Sequence, residues 1–204
     1  MNNKKLQIAL LVLFIVVAGG LLYYGIAGNS GGNSTPERNV EAQTVQILKY
    51  SDYQCPACKL YIPLQENLKR EFGDKVQIEY RHFPLSGHRY AELAARSVEA
   101  ARNQDSFYEM HDKIFQYQEV WSRGDARDHF EDFAREIGLD MDRFEADLES
   151  DEVRQRVESQ RQEGIRRQVN ATPTYFINGQ RLRQNPQSYE QFKSIVELYM
   201  YRSN

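Results

Sequence analysis

Tyr50-Ser51-Asp52-Tyr53-Gln54-Cys55-Pro56-Ala57-Cys58-Lys59 is the stretch on which the reading of this 204-residue chain turns. It holds the only two cysteines, with a strand predicted over residues 44–50 before them and a helix predicted from Pro56 after them. Two intervening residues put both sulfurs on one helical turn, close enough to alternate between dithiol and disulfide. With Cys55 as N-cap, Pro56 falls at the first helical position, where its missing N–H costs nothing. The Cys55 sulfur then faces the free amides and positive end of the helix, which favour thiolate over thiol. A thiolate both attacks and leaves well in disulfide exchange, so the placement suits chemistry better than packing. A zinc half-site and a structural bridge are the competing readings. The first needs two more ligands from a chain with no third cysteine and four scattered histidines. The second would close so small a loop that it stabilises little.

Outward from this stretch, Lys4 and Lys5 precede an uncharged apolar run over residues 8–27, broken only by glycines. That length is close to the ~20 residues that cross a bilayer core. Positive charge before it and none soon after predicts an N-terminal transmembrane anchor over residues 1–27, with the N-terminus cytoplasmic and the remainder extracytoplasmic. A cleaved signal peptide is the alternative and would leave the protein secreted or periplasmic, since Gly25-Ile26-Ala27 offers small residues for cleavage. Both readings deliver the domain to an oxidising compartment. Residues 28–39 are rich in Gly, Asn and Ser and are expected to form a flexible linker. The remaining residues, 40–202, suffice for one domain with a true core. A net charge of −3 and the lack of a long basic stretch argue against nucleic acid as a partner.

Within the domain, the helix from Pro56 is expected to reach Phe72, kinked at Pro63 and stopped by Gly73. Val76, Ile78 and Tyr80 alternate with Gln77, Glu79 and Arg81, which predicts a second strand over residues 76–82. A block of helices follows over about residues 88–168, with apolar faces such as Ala91, Ala94, Val98, Ala101 and Phe107, Met110, Ile114. Asp125 and Asp140 are expected to cap helices in it. Its last helix is only weakly amphipathic and is expected at the surface. Asn178-Gly179 signals a hairpin between strands over 174–178 and 180–183. Ser188 with Gln191 suggests a capping box for a final helix.

This order, with C-x-x-C at the first strand-to-helix junction, resembles the DsbA-like thiol:disulfide oxidoreductases: an α/β thioredoxin-like fold with an inserted all-helical subdomain. Besides the opening stretch, the resemblance rests on Tyr80-Arg81-His82-Phe83-Pro84-Leu85, Met110-His111-Asp112-Lys113-Ile114-Phe115 and Ala171-Thr172-Pro173-Thr174-Tyr175, and it covers residues 40–202. It implies a cis Thr172–Pro173 bond packed on the cysteine pair, with Thr172 offering backbone groups to substrate. It implies an enzyme that donates its Cys55–Cys58 disulfide to reduced or unfolded exported proteins through a mixed disulfide at Cys55. A quinone-linked membrane partner would recharge it, and neither cofactor nor metal is called for. A monomer is expected. A reductase or isomerase, or a holdase using the same groove, is the alternative function; no dimerisation domain of the isomerase kind is read before residue 40.

Two departures from the family pattern stand out. Ala57, beside Cys58, supplies neither charge nor side-chain hydrogen bond where the most oxidising members carry His, so a potential of roughly −250 to −150 mV is expected. Lys49 occupies a position, six residues before Cys55, where relatives often carry a buried acid. Glu79 on the neighbouring strand suggests a charge-swapped Lys49–Glu79 pair beneath the disulfide, lowering the thiolate pKa; the competing reading sends both side chains to solvent. His82, His88, His111 and His129 are read as structural or surface residues. Phe107, Phe115, Trp121, Phe130 and Phe133 are read as core, and Tyr50, Tyr53 and Tyr175 as either core or the lining of a substrate groove.

Overall fold

The computed structural model describes residues 41–202. The expected anchor and linker, residues 1–39, lie outside the described residues. Among those described, no helix is long and apolar enough to cross a membrane.

Strand β1 (Val45–Ser51) is the axis of the domain. Its three last residues, Lys49, Tyr50 and Ser51, are all buried, so both faces of the strand are covered where it delivers the chain to Cys55. Helices α1 (Pro56–Leu60) and α2 (Ile62–Phe72) lead, through a turn of 3-10 helix, back to β2 (Val76–His82), which pairs parallel to β1. The single helix expected over residues 56–72 is therefore two, broken at Tyr61. Pro63 has no N–H for the Lys59 carbonyl and its ring crowds that group, so the ladder stops one turn earlier.

Strand β3 (Thr174–Ile177) lies antiparallel on the other side of β1, and β4 (Gln180–Arg181) follows it, giving the order β2-β1-β3-β4. The hairpin turns on Asn178 and Gly179, with φ of 46° and 80°, the two left-handed positions of a two-residue turn. Asn178 also extends the sheet, since its Oδ1 accepts from the Gln46 N–H at 2.8 Å. The closing helix α9 (Tyr189–Met200) sets Phe192, Val196 and Met200 into the core. The Ser188 hydroxyl caps the Gln191 N–H, but the Gln191 amide reaches the Gln187 N–H, so only half of the expected box forms.

Between β2 and β3 stand six helices: α3 (Ala91–Arg102), α4 (Phe107–Gln116), α5 (Gln118–Trp121), α6 (Ala126–Glu136), α7 (Met141–Glu149) and α8 (Asp151–Arg166). Helix α3 is the hub and packs on α4, α6, α7 and α8. Its alanines make this possible: five of them are buried, and small side chains let four helices approach one axis. The aromatics Phe107, Phe115, Trp121, Phe130 and Phe133 are core, and the Trp121 indole donates to the Ile114 carbonyl at 2.7 Å. Asp140 caps α7 through the Arg143 N–H, whereas Asp125 takes a left-handed conformation (φ 53°) and makes no capping bond.

Helix α8 is less peripheral than its composition suggests. Ser150 caps it, Val153 and Val157 are buried, and Gly164 lies against Phe83 and Tyr50. A Cβ at Gly164 would stand 2.7 Å from the Phe83 ring, so only glycine lets α8 cross this close to the end of β1.

Candidate active site

The junction of β1 and α1 places the cysteine pair at the C-terminal edge of the sheet. Cys55 is the N-cap of α1, in extended conformation (φ −77°, ψ 117°), with Pro56 at the first helical position. The two cysteines are free thiols; Cys55 is 7% exposed and Cys58 is wholly buried. Pro56 and Ala57 are exposed on the same turn, so the face carrying Cys55 is the one that meets solvent.

Each sulfur has a different surrounding. Cys55 Sγ lies 3.4 Å from the Thr172 carbonyl, to which it donates only when protonated, and the Thr172–Pro173 bond is cis. The Pro173 carbonyl is held in turn by the Asn185 amide at 2.7 Å. A hydrogen bond from the Cys58 thiol draws the Cys55 pKa down to about 5, against the opposing effect of burial. The Thr172 side chain, rather than its carbonyl, and the backbone N–H groups of Cys58 and Ala57 lower it further. Burial and the neighbouring Cys55 push Cys58 up, with Lys49 opposing. The pair thus shares one proton, which resides on Cys58 while Cys55 carries the charge. Since α1 is only five residues long, the local amides rather than a long helix dipole stabilise that charge. Rates of iodoacetamide alkylation of Cys55 are expected to titrate with a midpoint near pH 5; a midpoint above about 8, as for an ordinary thiol, would contradict this.

Lys49 lies directly beneath. It is 0% exposed, and its Nζ donates to the Cys58 carbonyl at 3.3 Å. The Nζ also stands over the rings of Phe115 (5.3 Å) and Tyr80 (5.7 Å). The expected pairing with Glu79 does not form. Parallel register sets Tyr80 opposite Lys49 and Glu79 opposite Leu48, and alternation sends Glu79 to the outer face, where it is exposed and bound to Arg81. The competing reading fails for Lys49 as well, because its side chain never reaches solvent.

Several supports were not legible as site residues. Asp52, its side chain fully buried, accepts from the Gln54 N–H (2.7 Å), the Leu85 N–H (2.9 Å) and His88 Nδ1 (2.7 Å). It ties the turn before Cys55 to the loop after β2, and its own N–H points at Cys58 Sγ (3.5 Å). An Asp in a short polar loop after a strand is a turn signal, but nothing in the chain marks its distant partners. Gln118 donates to the carbonyls of Tyr53 (2.6 Å) and Cys55 (3.0 Å), which fastens the active turn to the helical block. Gln65 bridges the hydroxyls of Tyr175 and Tyr80. His111 meets the Tyr53 hydroxyl, and His82 pairs with Glu99. His88, read at first as ordinary surface, is partly buried against Asp52. Tyr50, Tyr53 and Tyr175 are all core, so none of them lines a groove. The apolar cleft beside Cys55 is a different one, about 620 Å³, lined by Pro56, Leu60, Ile62, Pro63 and Phe115, with Leu60 71% exposed.

Comparison with known proteins agrees with this architecture. Residues 39–198 match the family described as thioredoxin. A thioredoxin-like oxidoreductase from Silicibacter pomeroyi superposes with a TM-score of 0.67 at 23% identity, covering 79% of this chain and 90% of the other. BdbD from Bacillus subtilis superposes at 0.68 and 21% identity, covering 76% and 87%. A Na(+)/H(+) antiporter NhaA from Herminiimonas arsenicoxydans is 36% identical over 146 residues, which is 72% of this chain but 22% of the antiporter. The chain therefore spans about a fifth of the curated relatives it matches, and their transport activity is not carried over to it. With a nearly buried cysteine at a helix N-cap, a wholly buried partner thiol and a cis-proline loop against the first of them, the chain belongs to the thioredoxin family, in the form that carries a helical block between its second and third core strands.

Proposed function

We propose that this chain is an extracytoplasmic thiol:disulfide oxidoreductase that passes its Cys55–Cys58 disulfide to exported proteins. The observation that carries this reading is the unequal pair: a sulfur at the helix N-cap whose pKa is lowered and a wholly buried one behind it whose pKa is raised, on a single turn. In the oxidised protein a substrate thiolate attacks Cys55 Sγ, the S–S bond breaks, and its electrons leave on Cys58, which takes a proton because burial disfavours its charge. A second substrate thiolate then attacks the substrate sulfur of the mixed disulfide and expels Cys55 as the stabilised thiolate. Stabilising the thiolate stabilises the reduced protein, which favours the donating direction.

Residues 172–173 form the rim on which an extended substrate strand would lie, with the Thr172 carbonyl facing Cys55. The apolar cleft beside Pro56 suits a hydrophobic side chain of an unfolded substrate. The apolar run over residues 8–27 supports a membrane-held domain outside the cytoplasm, with a quinone-linked membrane protein as reoxidant. Oxidation of a reduced two-cysteine peptide tests the assignment: the wild-type disulfide form is expected to oxidise it stoichiometrically and Cys55→Ala not at all. No oxidation by the wild-type disulfide form, together with suppression of aggregation of an unfolded protein that Cys55→Ala retains in full, would point instead to a holdase. A pair found reduced at steady state in intact cells would reverse the direction.

A further inference from the structure

The least expected group in the domain is the amine of Lys49, buried on the central strand with no carboxylate at ion-pair distance among the described residues. An ammonium has three protons to donate, and here one carbonyl accepts. Two ring faces add cation–π attraction, which is small beside the cost of burying an unpaired charge. The groups that face the amine from each packed element are Cys58 of α1 and its N-cap Cys55, Tyr80 of β2, His111 and Phe115 of α4, and Tyr175 of β3. Of these, only the cysteine pair carries negative charge, a single one on Cys55, and only when reduced.

We propose that Lys49 takes up, inside the protein, the proton that reduction of the Cys55–Cys58 disulfide would otherwise release to solvent. The inference rests on the exchange reaction proposed above and adds where its proton goes. In the disulfide both sulfurs are neutral, nothing compensates an ammonium, and Lys49 is the free amine. Reduction creates the Cys55 thiolate, and the amine becomes its counter-ion. With glutathione as reductant, the disulfide protein with neutral Lys49 and two glutathione thiols yield Cys55 thiolate, Cys58 thiol, Lys49 ammonium and glutathione disulfide. Two S–H protons enter and two remain, on Cys58 and Lys49. Without the amine, one is lost to water.

Electrostatics point the same way. In the dithiol protein burial lowers the Lys49 pKa to about 8, while Cys58 and Cys55 hold it up. Forming the disulfide removes both supports, so the value falls further. The other neighbours do not compete for the proton. Burial holds Tyr80 and Tyr175 above their ordinary values, so they stay protonated. Burial, then the charge of Lys49, holds His111 well below its ordinary value, so it stays neutral, with its Nδ1 on the Tyr53 hydroxyl.

The test is the pH dependence of the equilibrium constant between the full-length protein and glutathione, from about pH 6 to 8. Internal proton uptake makes the wild-type constant nearly independent of pH. In Lys49→Met one proton is released, and the constant is expected to rise about tenfold per pH unit. Lys49→Arg keeps its charge in both redox states and is expected to follow Lys49→Met, which separates proton uptake from mere positive charge. A wild-type constant that itself climbs about tenfold per pH unit overturns the proposal, and this needs no variant to fold. A bridge that fails to form at any glutathione ratio overturns the exchange reading instead, so the two failures are distinct.

Discussion

Cys58→Ser is expected to convert the protein into a covalent trap. When the Cys55 thiolate attacks a substrate disulfide, it forms a mixed disulfide that the wild-type protein resolves with Cys58, one turn away and already behind the reacting sulfur. A reactant held in place this way acts at an effective concentration of about 10⁵ M or more. Serine cannot cleave the bond, so release waits for an external thiol at millimolar concentration. Even after allowing for the protonated state of Cys58, the adduct is expected to last at least about a thousandfold longer. Non-reducing electrophoresis followed by mass spectrometry should find substrate linked at Cys55, and no adduct in the double variant lacking both cysteines. In the donating direction Cys58→Ser has no disulfide to give and is expected to be inactive. Resolution at the wild-type rate would mean that Cys58 is not the partner sulfur.

The second large effect concerns stability. Glu99 of α3 is wholly buried and accepts four contacts from three side chains: His82 Nε2 (2.6 Å), Arg102 Nε (2.9 Å) and Nη2 (3.2 Å), and Arg156 Nη1 (3.1 Å). It joins the end of β2 to the hub helix and to α8. Glu99→Ala leaves two guanidinium groups and an imidazole crowded together without their anion, at an expected cost of about 3–5 kcal/mol. Total stability of such a domain is about 5–15 kcal/mol, so the urea midpoint should fall by a large fraction. A loss below about 1 kcal/mol would mean that solvent or neighbouring side chains replace the carboxylate. Burial alone would raise the Glu99 pKa, but His82 and Arg102 outweigh it and bring it down to about 2. A depressed carboxylate contributes stability above its unfolded pKa of about 4.3 and loses it as pH falls toward the folded value. The wild-type protein is therefore expected to weaken between about pH 4 and 2, and Glu99→Gln to lose less stability across that window, the remaining loss coming from other depressed carboxylates such as Glu149 and Glu163.

Features set by neighbours in sequence were legible: Cys55 as N-cap with Pro56 behind it, the Asn178-Gly179 turn, the Asp140 cap and the alternation of β2. The family resemblance supplied the cis bond before Pro173 and the helical block. Features set by distant neighbours were not. The sequence marks Lys49 but not what lies opposite it, because one residue of strand register decides whether Glu79 or Tyr80 faces it. Asp52, Gln65 and Gln118 are ordinary polar residues in the sequence and became supports only where buried carbonyls, amides and hydroxyls required partners. The break at Tyr61 was foreseen as a kink but not as two helices.

The spacing of two cysteines, a proline between them and a strand before them were enough to single out the two sulfurs proposed to react, because that chemistry lies within one turn of backbone. Which sulfur holds the proton, and what lies beneath it, depended on burial. Desolvation and charge act through space between β1, α1 and α4, and only packing brings those elements to within a few ångströms of one another.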